Sequence, residues 1–156
     1  MIGISACLGG KNCRYDGKDQ KNMEMMYLIE NGNAILICPE VLGGMRVPRN
    51  PAEIQSGNGI DVWAGKAKVL DNQGKDVTEA FKRGAIQAYE QLKAAAIDIV
   101  ILKERSPSCG SNWVYDGSFT GKVLPGGGVT TAYFRAKGIR VYSEENWKAY
   151  LSQDDS

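Results

Sequence analysis

Four short apolar runs punctuate this chain, and helical-period stripes lie between them. Ile2-Gly3-Ile4-Ser5-Ala6, Ala34-Ile35-Leu36-Ile37, Ile97-Asp98-Ile99-Val100-Ile101-Leu102 and Ile139-Arg140-Val141-Tyr142 each read as a buried strand. Residues 22–30 predict a helix with Met25, Leu28 and Ile29 on one face and Asn31-Gly32 as its stop. The strongest helical pattern begins at Asp76, which can cap it with Glu79 completing a capping box. Val77, Phe81, Gly84, Ala88, Leu92 and Ala95 recur there at helical spacing, with Gly84 allowing close approach to the sheet. Gly126-Gly127-Gly128 turns into a third helix that stops at Gly138, and Ser143 caps a last one reaching Leu151.

Three stretches fall outside this alternation. The loop from Leu8 to Gly17 is too long for a plain connector. Residues 39–58, rich in proline and glycine and nearly aperiodic, predict a long irregular excursion at the edge of a site. Val62 to Leu70, followed by the turn residues Asp71 to Lys75, predict a small β excursion. The whole pattern predicts one α/β domain over residues 1–156. It is Rossmann-like, with a mostly parallel sheet, helices on both faces and a small β excursion.

Composition narrows the partner. A chain of 156 residues can bury a core without staples. Nineteen basic against eighteen acidic residues leave a charge of +1, which recruits neither nucleic acid nor an anionic membrane. A small-molecule partner is expected; the pattern sets no oligomeric state. Met1-Ile2 enters the first strand with no basic leader or long apolar segment, which predicts the cytoplasm, where thiols stay reduced. With no histidine in the chain, proton transfer near neutral pH falls to carboxylates, cysteine, lysine, tyrosine or water.

The chemistry-bearing residues sit where strands end. Cys7 follows the first strand, Cys38 the second, and Cys109, in Ser106-Pro107-Ser108-Cys109-Gly110, the third. Parallel strands would bring these thiols to one edge of one sheet, where open α/β folds place their ligands. The spacing contains no C-x2-C knuckle, although zinc ligands can come from anywhere in a fold. The thiols can also be read as small packed hydrophobes. Against that stand their neighbours, which are glycine, proline and polar residues. Three thiolates without histidine suit an iron-sulfur cluster, and three ligands on a cubane leave one iron open as a Lewis acid.

Glu40, two residues after Cys38, is the leading acid/base candidate, with a loop-fixing role as the alternative. Asp16, in a turn before glycine, has the same double reading and ranks below it. Ser106 and Ser108 can donate hydrogen bonds to cluster sulfide or substrate, or satisfy the backbone around Pro107. Arg46 and Arg49 can meet an anion or tie the long loop, with Glu53 as partner. Gly126 to Gly128 can cradle an anion or simply start a helix. Gly9-Gly10-Lys11-Asn12 lacks the spacing of a phosphate loop, and Trp63, Trp113 and Trp147 form no stacking platform.

Taken together, Ser5-Ala6-Cys7-Leu8, Cys13-Arg14-Tyr15-Asp16-Gly17, Cys38-Pro39-Glu40-Val41-Leu42-Gly43-Gly44, Pro51-Ala52-Glu53-Ile54, Ser106-Pro107-Ser108-Cys109-Gly110 and Tyr115-Asp116-Gly117 resemble the 2-thiouracil desulfidase family over nearly the whole chain. The resemblance implies a [4Fe-4S] cluster on Cys7, Cys38 and Cys109, with Cys13 outside the ligand set. It implies removal of sulfur from a thiolated pyrimidine without net redox, the substrate sulfur meeting the open iron, to give the oxo-base and hydrogen sulfide. Glu40 would handle protons and Ser106 would position; Asp16 and Ser108 are expected from their own residue types and loop positions to contact substrate. Gly9 and Gly127 depart from the family pattern and bear on which substrate is taken. The alternatives are a non-catalytic metal-binding or redox-sensing module, and a sulfur carrier with a persulfide on Cys109.

Overall fold

The computed structural model describes residues 1–6, 31–46 and 49–148. In chain order its elements are β1 (Ile2–Ser5), β2 (Ala34–Ile37), α1 (Pro39–Leu42), β3 (Ala52–Gln55), α2 (Gly59–Trp63), β4 (Lys68–Asp71), α3 (Thr78–Ala94), β5 (Ile99–Leu102), β6 (Trp113–Tyr115), β7 (Val123–Pro125), α4 (Val129–Ala136) and β8 (Arg140–Ser143). The four apolar runs form one parallel sheet in the order β2-β1-β5-β8. Their continuous apolar character follows from burial on both faces. Gly3 and Val100 are register partners facing α3, and a Cβ on Gly3 would lie 2.9 Å from Leu92. On that face Ile37, Val100, Leu102 and Val141 pack with Ala88 and Leu92 of α3 and Phe134 of α4. Ile4 and Ile101, paired on the opposite face, are fully buried as well. The helix expected over residues 22–30 and the end of the last helix lie outside the described residues.

The excursions carry more structure than their sequence suggests. Residues 39–58 are not irregular throughout: Pro39 starts α1 at the position that tolerates a missing N–H, and β3 pairs antiparallel with β4. Val62 and Trp63 belong to α2, so the β excursion begins only at Lys68. The reciprocal cap expected at Asp76 and Glu79 occurs instead on α2, where Asn58 Oδ1 accepts the Ile60 amide and Asp61 Oδ2 accepts the Asn58 amide, both at 3.0 Å. Asp76 does accept the Thr78 amide at 2.9 Å, but α3 starts at Thr78, one residue too late for Asp76 to be its cap. A second two-stranded ribbon, β6-β7, was not legible in the pattern. Ile54, Val62, Val69, Phe81, Val114 and Val129 form a second buried cluster beneath these ribbons.

Within α3 the predicted stripe is buried at Phe81, Gly84, Ala88 and Leu92, while Ala95 at its end is exposed. Gly84 approaches α1, not the sheet: a Cβ there would collide with the Pro39 carbonyl, and one on Gly43 with the Ala80 carbonyl. The sheet thus fixes β2, and α3 fixes the turn that leaves it.

Candidate active site

The carboxyl ends of β1, β2 and β5 open into a cavity of about 460 Å3. Ser5 and Ala6 enter it from β1, Cys38 and Glu40 from the end of β2 and from α1, and Ser106 and Cys109 from the loop after β5. The start of β3 and the β6-β7 ribbon complete the wall, the ribbon contributing Tyr115 and Phe119. Two expected thiols, the expected acid/base and the expected positioning serine therefore share one space. Ala6 lines it and directly precedes Cys7, which, like Asp16, lies outside the described residues. Among the described residues no set of three metal ligands is complete.

The loop that carries Cys109 is held from three sides. Ser106 Oγ accepts the amides of Ser108 at 3.1 Å and Cys109 at 3.0 Å. Glu104, 2% exposed, accepts the Ser111 amide at 2.8 Å, the Asn112 amide at 3.0 Å, the Trp113 amide at 3.2 Å and the Ser111 hydroxyl at 2.8 Å. Burial alone would raise the Glu104 pKa, but the donors from Asn112, Ser111, Trp113 and Arg105 outweigh it and hold the carboxyl below the usual range. From the third side, the first amides of α4 bond back: Gly128 to the Gly110 carbonyl, Val129 to Pro107 and Thr130 to Ser108. In the glycine turn, the Gly126 and Gly128 N–H groups thus go to the Asn112 and Gly110 carbonyls of this loop and are not available to cradle an anion. The turn must be glycine at Gly128, where a Cβ would lie 2.5 Å from the carbonyl oxygens of Pro107 and Ser108.

Ser108 departs from its expected place. Its side chain is fully buried, bonded to the Thr130 hydroxyl at 2.6 Å, and absent from the cavity wall. It lies behind Cys109, whose Sγ is 3.8 Å from the Ser108 hydroxyl. Glu40 is oriented by Arg49, whose Nε donates to its Oε2 at 2.9 Å and whose Nη2 closes the ion pair. Tying the loop through a carboxylate was one of two readings of Arg49, with Glu53 as the candidate partner. Glu53 instead accepts the amides of Gly117 at 2.9 Å and Phe119 at 3.2 Å, joining β3 to the β6-β7 ribbon. Glu104 and Phe119 are cavity residues that the sequence pattern did not single out, and Tyr115 entered only as part of a family motif. A carboxylate two residues after a buried strand was the available signal for Glu104.

The donor chemistry tests whether a metal cluster fits. Burial pushes the Cys109 thiol far up, with the charges of Glu40 and Cys38 acting in the same direction and the hydroxyls of Ser108 and Ser5 against it. A thiolate here needs a cation beside it. Arg49 is already engaged by Glu40. A thiophilic, cationic iron centre held by Cys38 and Cys109 would supply that compensation, and sulfur donors without imidazole are those such a centre takes.

Comparison with known proteins extends over nearly the full length. A family model described as 2-thiouracil desulfurase matches residues 2–146. YbbK of Bacillus subtilis (strain 168), an uncharacterized protein, is 46% identical over 144 residues, covering 92% of this chain and 95% of its own. The solved structure of TudS, described as a [4Fe-4S]-dependent thiouracil desulfidase, is 39% identical, with a TM-score of 0.86 over 99% of this chain and 98% of that one.

Proposed function

The chain belongs to the 2-thiouracil desulfurase family, and on that premise we propose that it hydrolyses the carbon-sulfur bond of a thiolated pyrimidine. The reaction exchanges sulfur for a water oxygen, giving the oxo-base and hydrogen sulfide with no net change in oxidation state. The observation that carries this reading is the convergence of Cys38, Cys109, Glu40 and Ser106 on one cavity at the carboxyl edge of a parallel sheet. Cys7, Cys38 and Cys109 would hold a [4Fe-4S] cluster, which when bound supplies a Lewis-acidic iron for the sulfur of the substrate.

The other roles belong to side chains. Arg49 fixes the Glu40 carboxylate toward the cavity, where it takes a proton from the attacking water and returns it to the departing sulfur. Ser106 has both amide contacts on its lone pairs, which leaves its O–H to donate to a substrate heteroatom. Ser108 backs Cys109 from behind, and Asp16 remains a proposed substrate contact. The substrate is a small thiolated heterocycle, for which a cavity of about 460 Å3 has room, and reduced thiols suit the cytoplasm.

The test is an anaerobic purification with iron, zinc and labile sulfide counted per chain, then addition of 2-thiouracil with assay for uracil and sulfide. About four irons and four sulfides with both products are expected. Glu40→Gln should retain the iron and lose at least about 100-fold in turnover. One zinc and no products, or an undiminished Glu40→Gln rate, would turn the reading toward a metal-binding or redox-sensing module.

A further inference from the structure

Phe119 sits in a conformation that a bulky residue avoids. Its φ is +58°, in the left-handed region, at the tip of the β6-β7 ribbon. Gly121, two residues on, takes φ +84° with no side chain to strain. The loop therefore has a glycine where nothing is displayed and a phenylalanine where a ring reaches the cavity wall. Strain of this kind persists only where the surroundings over-determine it. Here Glu53, 7% exposed, accepts the amides of Gly117 and Phe119 on the same Oε1, and Gln55 Nε2 donates to the Gly117 carbonyl at 2.7 Å. Asp116 Oδ1 accepts the Ser118 amide at 2.9 Å and its hydroxyl at 2.5 Å.

The side chain gives little back in packing, since Phe119 is 37% exposed while lining the cavity. Elsewhere the wall presents polar groups, Glu40 with Arg49, Lys103, Glu104 and Ser106. Such a wall reads the polar edge of a planar heterocycle and leaves its faces without a partner. Among the described lining residues, Tyr115 and Phe119 carry the aromatic rings. Tyr115 ends strand β6 and is half-buried, whereas Phe119 stands in the loop beyond it and is exposed.

We propose that Phe119 is the stacking surface for the substrate, its ring held at the cavity opening by the Glu53-pinned turn so that it lies against the flat face of the thiolated heterocycle. This rests on the proposed function and adds the residue that discriminates planar aromatic thioamides from non-planar ones. Stacking acts on binding, so its loss falls on KM more than on kcat.

The cluster-loaded enzyme tests this with Phe119→Gly, Phe119→Leu and Phe119→Tyr, assayed anaerobically with 2-thiouracil beside the wild type. Phe119→Gly relieves the backbone strain while removing the ring, so its Tm should stay at or above the wild-type value while KM rises about tenfold. Phe119→Leu keeps apolar bulk without a π face and should also raise KM several-fold; Phe119→Tyr should restore it. A KM within about twofold of wild type in the Gly and Leu variants would overturn the inference. So would a fall in Tm with KM unchanged, the signature of a purely structural ring. Should the Gly variant fail to fold, the Leu and Tyr pair decides the same question. A wild type that makes no uracil removes the proposed function and this inference together, whereas a turning-over wild type with insensitive variants removes this inference alone.

Discussion

Glu104 shows how one side chain can organise a site without carrying its chemistry. It leaves β5 into the interior and gathers the Ser111, Asn112 and Trp113 amides, closing the loop that presents Cys109. Its carboxyl pKa is lowered in the fold, so its contribution to stability is present above the unfolded-state pKa. That contribution is lost as pH falls through the folded value. Glu104→Gln places an amide NH2 among N–H donors, and should cost about 2–4 kcal/mol at neutral pH. Urea denaturation followed from neutral to acid pH should show the difference between wild type and variant shrinking as the wild-type carboxyl protonates. A constant difference would mean that the charge is not what holds the loop. At this scale the candidate cysteines, Glu40 and Ser106 could be read from residue type and position. Their partners could not, because Arg49 reaches Glu40 only once α1 has turned the chain, and Ser108 is directed at Thr130 by the packing of α4.

Among elements, the packing of α1 on α3 is the contact on which the site geometry depends most. Gly84 of α3 and Gly43, which caps α1, let the backbones approach so closely that a Cβ on Gly84 would strike the Pro39 carbonyl and one on Gly43 the Ala80 carbonyl. Gly84→Ala should therefore destabilise the protein by about 1–3 kcal/mol even though alanine is the better helix former. It should also lower turnover, since α1 carries Glu40, with thermal denaturation and kcat measured on the same preparation. A variant as stable and as active as wild type would show that α1 gives way without moving the carboxylate. The helical spacing of α3 announced a buried stripe containing Gly84, yet not its partner. A periodicity reports which face is covered, and the covering element is a property of the whole chain. The same limit hid α2, whose Val62 and Trp63 read as the start of a strand, and the β6-β7 ribbon, whose three-residue strands are too short to show alternation.

At the level of the whole molecule, the sheet delivers residues from separate parts of the chain to one edge, and two ribbons wall the space above it. Cys38 and Cys109 lie on different crossovers of that sheet, so a cluster bound to both cross-links them in the native state alone. Loading the cluster should raise Tm by roughly 5 °C or more over the apoprotein, measured by anaerobic calorimetry. An unchanged Tm would mean that the thiols do not ligate jointly. The four strands of the central sheet, the helices α3 and α4 between them and the sulfur-rich, histidine-free chemistry were determined by the amino-acid sequence alone. Each is a local property, set by periodicity, residue type and the position of a thiol at a strand end. The ion pair that orients Glu40, the removal of Ser108 from the cavity, the Glu104 knot and the placing of Phe119 were decided only by the tertiary structure. Each of these joins groups distant along the chain, and which distant groups meet depends on how helices and ribbons pack on the sheet.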